Sequence, residues 1–354
     1  MTAKGLLEAF ERWSADGSSL VLASVYETQG STYSKAGAQM LINGDGDFQG
    51  MLSGGCLEGD LAERARAVLQ SGEPQAVTYD LGLNDDELWG LGVGCDGLMR
   101  IFLQPLTARN HYQPFAAIAE ALRGDTAQAA AIVIESDIEH LAPGSSTVTV
   151  DGAVRFTDMP EPVASETRAP VGVTLLEGES AVKAIKVGAA SARCLFVALV
   201  PPPAILVLGA GLDAGPVLRF ASELGWRVTV QDHRPAYIES GNYEAAEQVL
   251  CVPVDELSTT LDLGRYSAAI VMSHHLVSDR SYLGQLAKTD MSYIGLLGPV
   301  DRRRRLLDDL GELAVRLEGR LHGPAGLPLG GRGPAPIALS IIAEMHQVLL
   351  TADN

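Results

Sequence analysis

The stretch AILVLGAGLDAGPVLRFASELGWRVTVQDHRP, residues 204–235, constrains the fold more than any other part of the chain. It opens with five apolar residues, the length and character of a buried strand, and breaks at Gly209-Ala210-Gly211. A helical repeat of apolar residues follows, then a second strand, RVTVQ, that runs into Asp232. Strand, tight turn, helix and strand in this order make a βαβ unit with parallel strands. Within it Gly209 permits the turn, Gly211 lets a pyrophosphate approach the backbone, and Ala214 fills the third small position of a G-x-G-x-x-G/A pattern. The start of the helix offers unpaired N–H groups to phosphate. Asp232 stands about 20 residues on, where such a unit places a carboxylate for a ribose hydroxyl. The same glycines would also serve a unit that binds nothing, by allowing helix and sheet to pack closely.

The alternation continues downstream. AAIVMSH, a helix from about Asp279, MSYIGLLGP, a helix through DRRRRLLDDL and a last helix from about Pro334 to Leu350 predict a Rossmann-like parallel sheet. Loops at the carboxyl ends of such strands share one crevice. His274 and His275 follow one of these strands, and Gly295 and Gly298-Pro299 lie at the end of another, which makes His274 a candidate ligand contact. Arg302 to Arg305 cover every side of a short helix, so most are expected in solvent, with one left to reach a phosphate.

Pro201-Pro202-Pro203 removes three successive backbone donors and stiffens the chain, which marks a linker between domain 1–200 and domain 204–354. The first domain opens with an amphipathic helix carrying Leu6, Leu7 and Phe10 and ending at Gly17. LVLASVYET reads as a strand, and AQMLIN and FQGML as a hairpin turned by Gly44-Asp45-Gly46. From Cys56 to about Gln70, Leu57, Leu61, Ala65, Val68 and Leu69 share one helical face, and QAVTYDL and LMRIFLQPL are further strands. AAIVIES, STVTVDGAVRF and CLFVALV read as strands around a helix near residues 113–123, without a topology. The fold class is α/β throughout.

A formal charge of −18 repels a long phosphate backbone, and no basic stripe is interleaved with aromatics, so nucleic acid is not an expected partner. No run of about 18 apolar residues appears, so no membrane span is expected. The N-terminus, MTAKGLLEAFERWSADG, lacks a signal-peptide apolar block, so the expected location is cytoplasmic. Cys56, Cys95, Cys194 and Cys251 stand far apart without a CxxC pair, which fits neither a disulfide framework nor a zinc site, and no other metal-ligand spacing occurs.

Two glycine-rich turns carry a thiol. Gly54-Gly55 before Cys56, at a helix start, predicts amides converging on one point, a place for an anion and for a stabilised thiolate. The bland alternative is a small buried cysteine in a tight turn. GVGCDG repeats the idea with Cys95. If the two loops face each other, both thiols border one cavity. Neither cysteine has a histidine partner nearby in sequence, which counts against a cysteine hydrolase.

Taken together, GSTYSKAGAQMLI, SGGCLEGDL, GVGCDG, the GAG…DHRPAY unit, VMSHH, GLLGPVDRRRRLL and LHGPAGLPLG…PIALSIIAEM resemble the xanthine dehydrogenase accessory factor family, often written XdhC/CoxI. The resemblance covers nearly the whole chain outside its middle. It implies an N-terminal XdhC/CoxI-type α/β domain followed by a C-terminal Rossmann-like domain, in a non-catalytic or weakly catalytic maturation factor. Such a factor binds the molybdenum cofactor, here expected in its pterin dinucleotide form, supports its sulfuration and delivers it to the apo-enzyme of a xanthine dehydrogenase-type molybdenum hydroxylase. A cysteine desulfurase and a second copy of the chain are further implied partners. Cys56 carries over onto the family's SGGC position and Cys95 onto its GCGG-like loop as thiols of the sulfur step; Gly54, Gly55, Gly209, Gly211, Asp232 and His274 are the expected cofactor contacts. This chain has Asp96 in the second loop, Ser34 and Gln39 where relatives commonly carry basic residues, and Ala335 and Pro336 where they carry acids. Two rival readings stay open: an NAD(P)-dependent oxidoreductase, for which Asp232 favours NAD, and a scaffold that uses the Rossmann unit as architecture alone.

Overall fold

The computed structural model describes residues 3–80 and 97–351. The chain forms two compact units, Ala3–Pro201 and Pro202 onward. In the first, α1 (Ala3–Ala15) buries Leu6, Phe10 and Trp13, the face its apolar spacing predicts. An antiparallel sheet follows, made of β1 (Leu20–Gln29), β2 (Gln39–Asn43), β3 (Phe48–Gln49), β4 (Gln75–Asp80) and β5 (Leu98–Leu106) in the order β3-β2-β1-β5-β4. Between β3 and β4, α2 (Glu58–Ser71) packs Leu61, Ala65 and Val68 against Val21, Ala23 and Ile101 of the sheet.

A second antiparallel sheet completes this unit. After α3 (Phe115–Arg123), it uses β6 (Gln128–Ser136), β7 (Ser146–Val150) and β8 (Ala153–Thr157), then, beyond α4 (Glu161–Glu177), β9 (Ala181–Val187) and β10 (Ala190–Leu199). The strand order is β8-β7-β6-β10-β9. One apolar core joins both sheets: Leu20 and Phe102 from the first meet Ile132 and Leu195 from the second, with Phe10 of α1 and Phe115 of α3 among them. The fold is therefore decided by long-range apolar contact rather than by local turns alone.

The second unit alternates β11 (Ala204–Leu208), α5 (Ala214–Glu223), β12 (Arg227–Gln231), α6 (Pro235–Ser240), β13 (Gln248–Leu250), α7 (Leu257–Thr260) and β14 (Ala268–Val271). It continues through α8 (Leu276–Leu286), β15 (Tyr293–Leu296), α9 (Val300–Leu310), β16 (Leu321–His322) and α10 (Pro334–Thr351). All strand pairs are parallel, in the order β13-β12-β11-β14-β15-β16. The chain winds one way from β11 to β13 and the other way from β14, so the direction reverses between β11 and β14. In an open parallel sheet that reversal parts the loops and leaves a crevice at the carboxyl ends of the strands. Both faces are covered, one by Leu283 and Leu306 of α8 and α9, the other by Val217 and Leu218 of α5 with Ile341 and Met345 of α10. The Rossmann-like expectation holds.

Gly209 sets where the crevice begins. Its φ is +121°, and a Cβ there would lie 2.6 Å from the backbone carbon and oxygen of Met272, which belong to the loop after β14. Neither the backbone angle nor the neighbouring backbone can yield to a side chain. Gly209→Ala should therefore lower stability by about 2 kcal/mol or more, read as an earlier denaturant midpoint. An unchanged midpoint would show that the turn has room to spare.

Candidate functional site

In the first unit, residues 52–57 fold around a carboxylate supplied by the chain itself. Glu58, the first residue of α2, is only 1% exposed. Its Oε1 accepts the N–H of Leu52 at 2.8 Å and of Ser53 at 2.9 Å. Its Oε2 accepts the Ser53 hydroxyl at 2.5 Å and the N–H groups of Gly55 and Leu57 at 3.0 and 3.2 Å. Burial by itself would raise the Glu58 carboxyl, but the Ser53 hydroxyl and the backbone N–H groups outweigh it and hold the group below its ordinary value. The amides expected to gather an external anion do gather an anion, and it is Glu58. Gly54 and Gly55 both have positive φ, +78° and +108°, which lets the loop curl this tightly.

Cys56 is a free thiol, half-buried against the core under α2. No described residue accepts the N–H of Gly54 or Cys56. The ring of Tyr33 lies where a Gly54 side chain would begin, with 3.3 Å to the nearest ring carbon. At the other end of that segment, Gly97 abuts the carbonyls of Ser31 and Gln29, with a Cβ position 2.5 and 2.9 Å away. Residues 29–33 thus touch both the Cys56 loop and the exit of the Cys95 loop, while Cys95 and Asp96 themselves lie outside the described residues. Beside Tyr33 is a cavity of about 380 Å³ with Ser34, Gln39, Met51, Leu122 and Val197 among its walls. Ser34 and Gln39, noted in the sequence for lacking a charge, line a neutral space large enough for a small-molecule group.

In the second unit the turn after β11 is open. The N–H groups of Gly211, Leu212 and Asp213 have no acceptor among the described residues, and a Cβ on Gly211 would meet only the His274 ring, at 4.0 Å. Three amides at the head of α5 are thus left without a described acceptor, the arrangement that an anion at a helix N-terminus would use. His274 follows β14 with φ +60°, and its Nε2 lies 3.0 Å from Asp213 Oδ2 across the crevice. It is 56% exposed as a side chain. His275 caps α8 by accepting the Ser278 N–H. Arg302 makes a two-pronged bond to the buried Asp279, which also accepts the Ser273 hydroxyl at 2.5 Å. Arg304 pairs with the exposed Asp301.

Asp232 is fully buried at the end of β12. Oδ2 accepts the Ala210 N–H at 2.8 Å and Oδ1 the Arg234 N–H at 2.9 Å, while the Arg234 guanidinium bonds both oxygens, at 2.8 and 2.7 Å. Burial would raise this carboxyl, but the Arg234 side chain and then the Ala210 amide hold it below its ordinary value. Asp232 thus stands where the sequence puts it but faces the protein, fixing the glycine turn and Arg234, which lies in the family-like DHRPAY motif but was given no role from sequence.

A further cluster is not apparent from sequence spacing. Glu344 of α10 accepts the Tyr293 hydroxyl and the Gly326 N–H, each at 2.7 Å, and lies 3.3 Å from His322 Nδ1. The His322 ring stacks on Tyr293 with centroids 4.4 Å apart. His322 and Glu344 both fall within LHGPAGLPLG…PIALSIIAEM, and their place in one family-like motif was the available signal. Among the described residues no group of three or more His, Cys, Asp or Glu side chains could hold a metal ion, and no helix is long and apolar enough to cross a membrane.

The Glu58 network is directly testable. Glu58→Gln replaces one acceptor oxygen by a donor facing buried amides, which should cost about 2–3 kcal/mol at neutral pH. Because the folded carboxyl titrates below its unfolded value, this contribution is present above the ordinary glutamate range and lost as pH falls through the folded value. The gap between parent and variant in urea denaturation should therefore narrow in acid; a gap that is absent, or constant with pH, would remove the carboxylate from its assigned role.

Residues 205–345 match the family model of the XdhC Rossmann domain, and residues 13–80 match that of the XdhC and CoxI family. The chain is similar to a probable xanthine dehydrogenase subunit of Bacillus subtilis (strain 168), with 30% identity over 334 residues and 94% of each chain covered. It is similar also to the molybdenum cofactor insertion chaperone PaoD of Escherichia coli (strain K12), 22% identical over 336 residues, which cover 94% of this chain and 85% of that one. A crystal structure described as a xanthine dehydrogenase from Bacillus halodurans superimposes with a TM-score of 0.77 at 29% identity, covering 99% of this chain and 96% of that chain. On this agreement along its length, the chain belongs to the XdhC and CoxI family.

Proposed function

We propose that the chain is an accessory factor that takes the molybdenum cofactor as cargo, supports its sulfuration and hands it to a molybdenum hydroxylase of the xanthine dehydrogenase type. The observation that carries this reading is the open amide turn at Gly211–Asp213, in a chain similar over most of its length to an insertion chaperone for that cofactor. A pterin dinucleotide carries a pyrophosphate, and amides without a partner at the head of a helix suit one. Gly211 keeps the approach clear and the His274 ring stands beside it. Asp213 also stands there, with its Oδ2 3.0 Å from His274 Nε2. Bound cargo supplies the metal centre that accepts sulfur.

In the first unit Cys56 is the thiol assigned to that sulfur step, held on a loop whose shape Glu58 fixes. Cys95 remains its proposed companion. A cysteine desulfurase as sulfur source, a homodimer and a cytoplasmic setting belong to the same proposal. The oxidoreductase reading has weaker support, because the acid that would read a nicotinamide nucleotide's ribose is already bonded within the protein.

Protein isolated from molybdate-fed cells should carry molybdenum and pterin in equal amounts per loaded chain; neither element nor pterin above background would remove the cargo assignment. Cys56→Ala should keep that cargo and the parent's melting temperature but fail to activate a partner hydroxylase, whereas full activation would release Cys56 from the sulfur step. Gly211→Val sets a branched side chain over the open amides and should empty the protein of cargo. Undiminished cargo in this variant would place the pyrophosphate elsewhere.

A further inference from the structure

An ionised carboxylate has about four acceptor positions. In Asp232 all four are taken, by the N–H groups of Ala210 and Arg234 and by Nε and Nη2 of Arg234. No position is left for a ribose hydroxyl, and the carboxylate is fully buried. The group next to it is the reverse in every respect. The Arg234 side chain is 29% exposed, and its Nη1 donates to no described residue. Nη2 also approaches the Ser273 carbonyl, at 3.4 Å, so the guanidinium reaches from the end of β12 to the end of β14, beside the Ala210 turn that follows β11. Its carbon lies 3.7 Å from the Tyr237 ring centroid, which fixes the plane of the fork.

We propose that Arg234, and not Asp232, reads the ligand in this crevice, and that what it reads is a phosphate monoester. A nucleotide with a phosphate on its ribose would then be preferred over the same nucleotide with a free ribose hydroxyl, the reverse of the preference that Asp232 suggests from sequence. The physical reason is the donor count: a guanidinium has five N–H donors in one plane, and with Nε and Nη2 engaged by Asp232 and Ser273 the two on Nη1 remain for phosphate oxygen. Asp213 faces the His274 ring across the crevice, 3.0 Å from its Nε2, rather than Arg234. Arg234, with a partly exposed side chain, is the cation that a dianion entering beside the Ala210 turn meets. The inference shares with the preceding reading a crevice that accepts phosphate-bearing ligands, and it does not depend on molybdenum.

The test is equilibrium binding of NADP+ and NAD+ to the purified full chain. NADP+ should bind at least about tenfold tighter, the worth of one charge-assisted contact. Arg234→Gln should erase the difference. Arg234→Lys keeps a positive charge against Asp232 but cannot hold a carboxylate and a phosphate with one fork; in the folded variant, checked by circular dichroism, it should lose most of the preference. Saturating inorganic phosphate distinguishes two sources of the same chemistry. If the preference survives it, the phosphate is read as part of a nucleoside; if it vanishes, the phosphate alone is read, and in both cases Arg234 is the reader. Equal affinities, a preference for NAD+, no binding of NADP+, or a preference unchanged in folded Arg234→Lys would each overturn the proposal. Molybdenum content is measured separately, so a protein that carries molybdenum but prefers NAD+ sinks this inference alone, and one that prefers NADP+ but never carries molybdenum sinks the cargo reading alone.

Discussion

The Rossmann-like unit depends on one buried negative charge. Asp232 ties the amide of Ala210 to the end of the neighbouring strand and grips the Arg234 guanidinium with both oxygens. Without a partner, a carboxylate with no exposed surface would cost several kcal/mol to keep ionised, on the order of the whole stability of a domain. With four donors it becomes a rigid clamp. The clamp holds the turn so that the next three amides are left without protein acceptors, and it aims a cation across the ends of three strands. The shape of the turn and the placing of the arginine both follow from that one group.

Glu58 does the same in the other unit, with a different result. There the donors are Leu52, Ser53, Gly55 and Leu57, and the carboxylate takes them all into a closed loop. A glycine-rich turn beside a helix start can therefore be an empty anion site or a filled one, and the difference lies in whether the chain brings its own anion. By this criterion the amides of the Gly211 turn stay without an acceptor among the described residues, while those beside Cys56 are taken up by Glu58. Preforming a reactive group on a rigid loop lowers the ordering cost when a partner arrives.

Much of the architecture was legible because its periods were local. The βαβ unit at residues 204–231, the hairpin of β2 and β3 and the last helix all fell where alternation and glycine placed them. The second antiparallel sheet did not reveal its order, since β10 pairs with β6 across more than fifty residues and its Ala-rich strand β6 has no alternation to read. Among site residues, types were readable and roles were not. Glu58 at a helix start looks like an ordinary partner of the helix dipole, and only its burial shows that it organises the loop before it. Asp232 sat at the position for a ribose, but Arg234, two residues on, fills its oxygens, and sequence spacing says nothing of which partner a carboxylate chooses. His322, Tyr293 and Glu344 come from β16, β15 and α10, so only the folded chain brings them together.

One glycine turn is closed by the protein's own carboxylate while the other keeps three amides without a described acceptor, as the proposed phosphate-bearing cargo requires, and amide hydrogen exchange reads that distinction residue by residue. In the protein stripped of cargo, the amides of Leu52, Ser53, Gly55 and Leu57 should exchange slowly and those of Gly211, Leu212 and Asp213 quickly. Loading with molybdenum cofactor should slow the second set and leave the first unchanged. Slow exchange at residues 211–213 in the empty protein, or no change there on loading, would contradict the account.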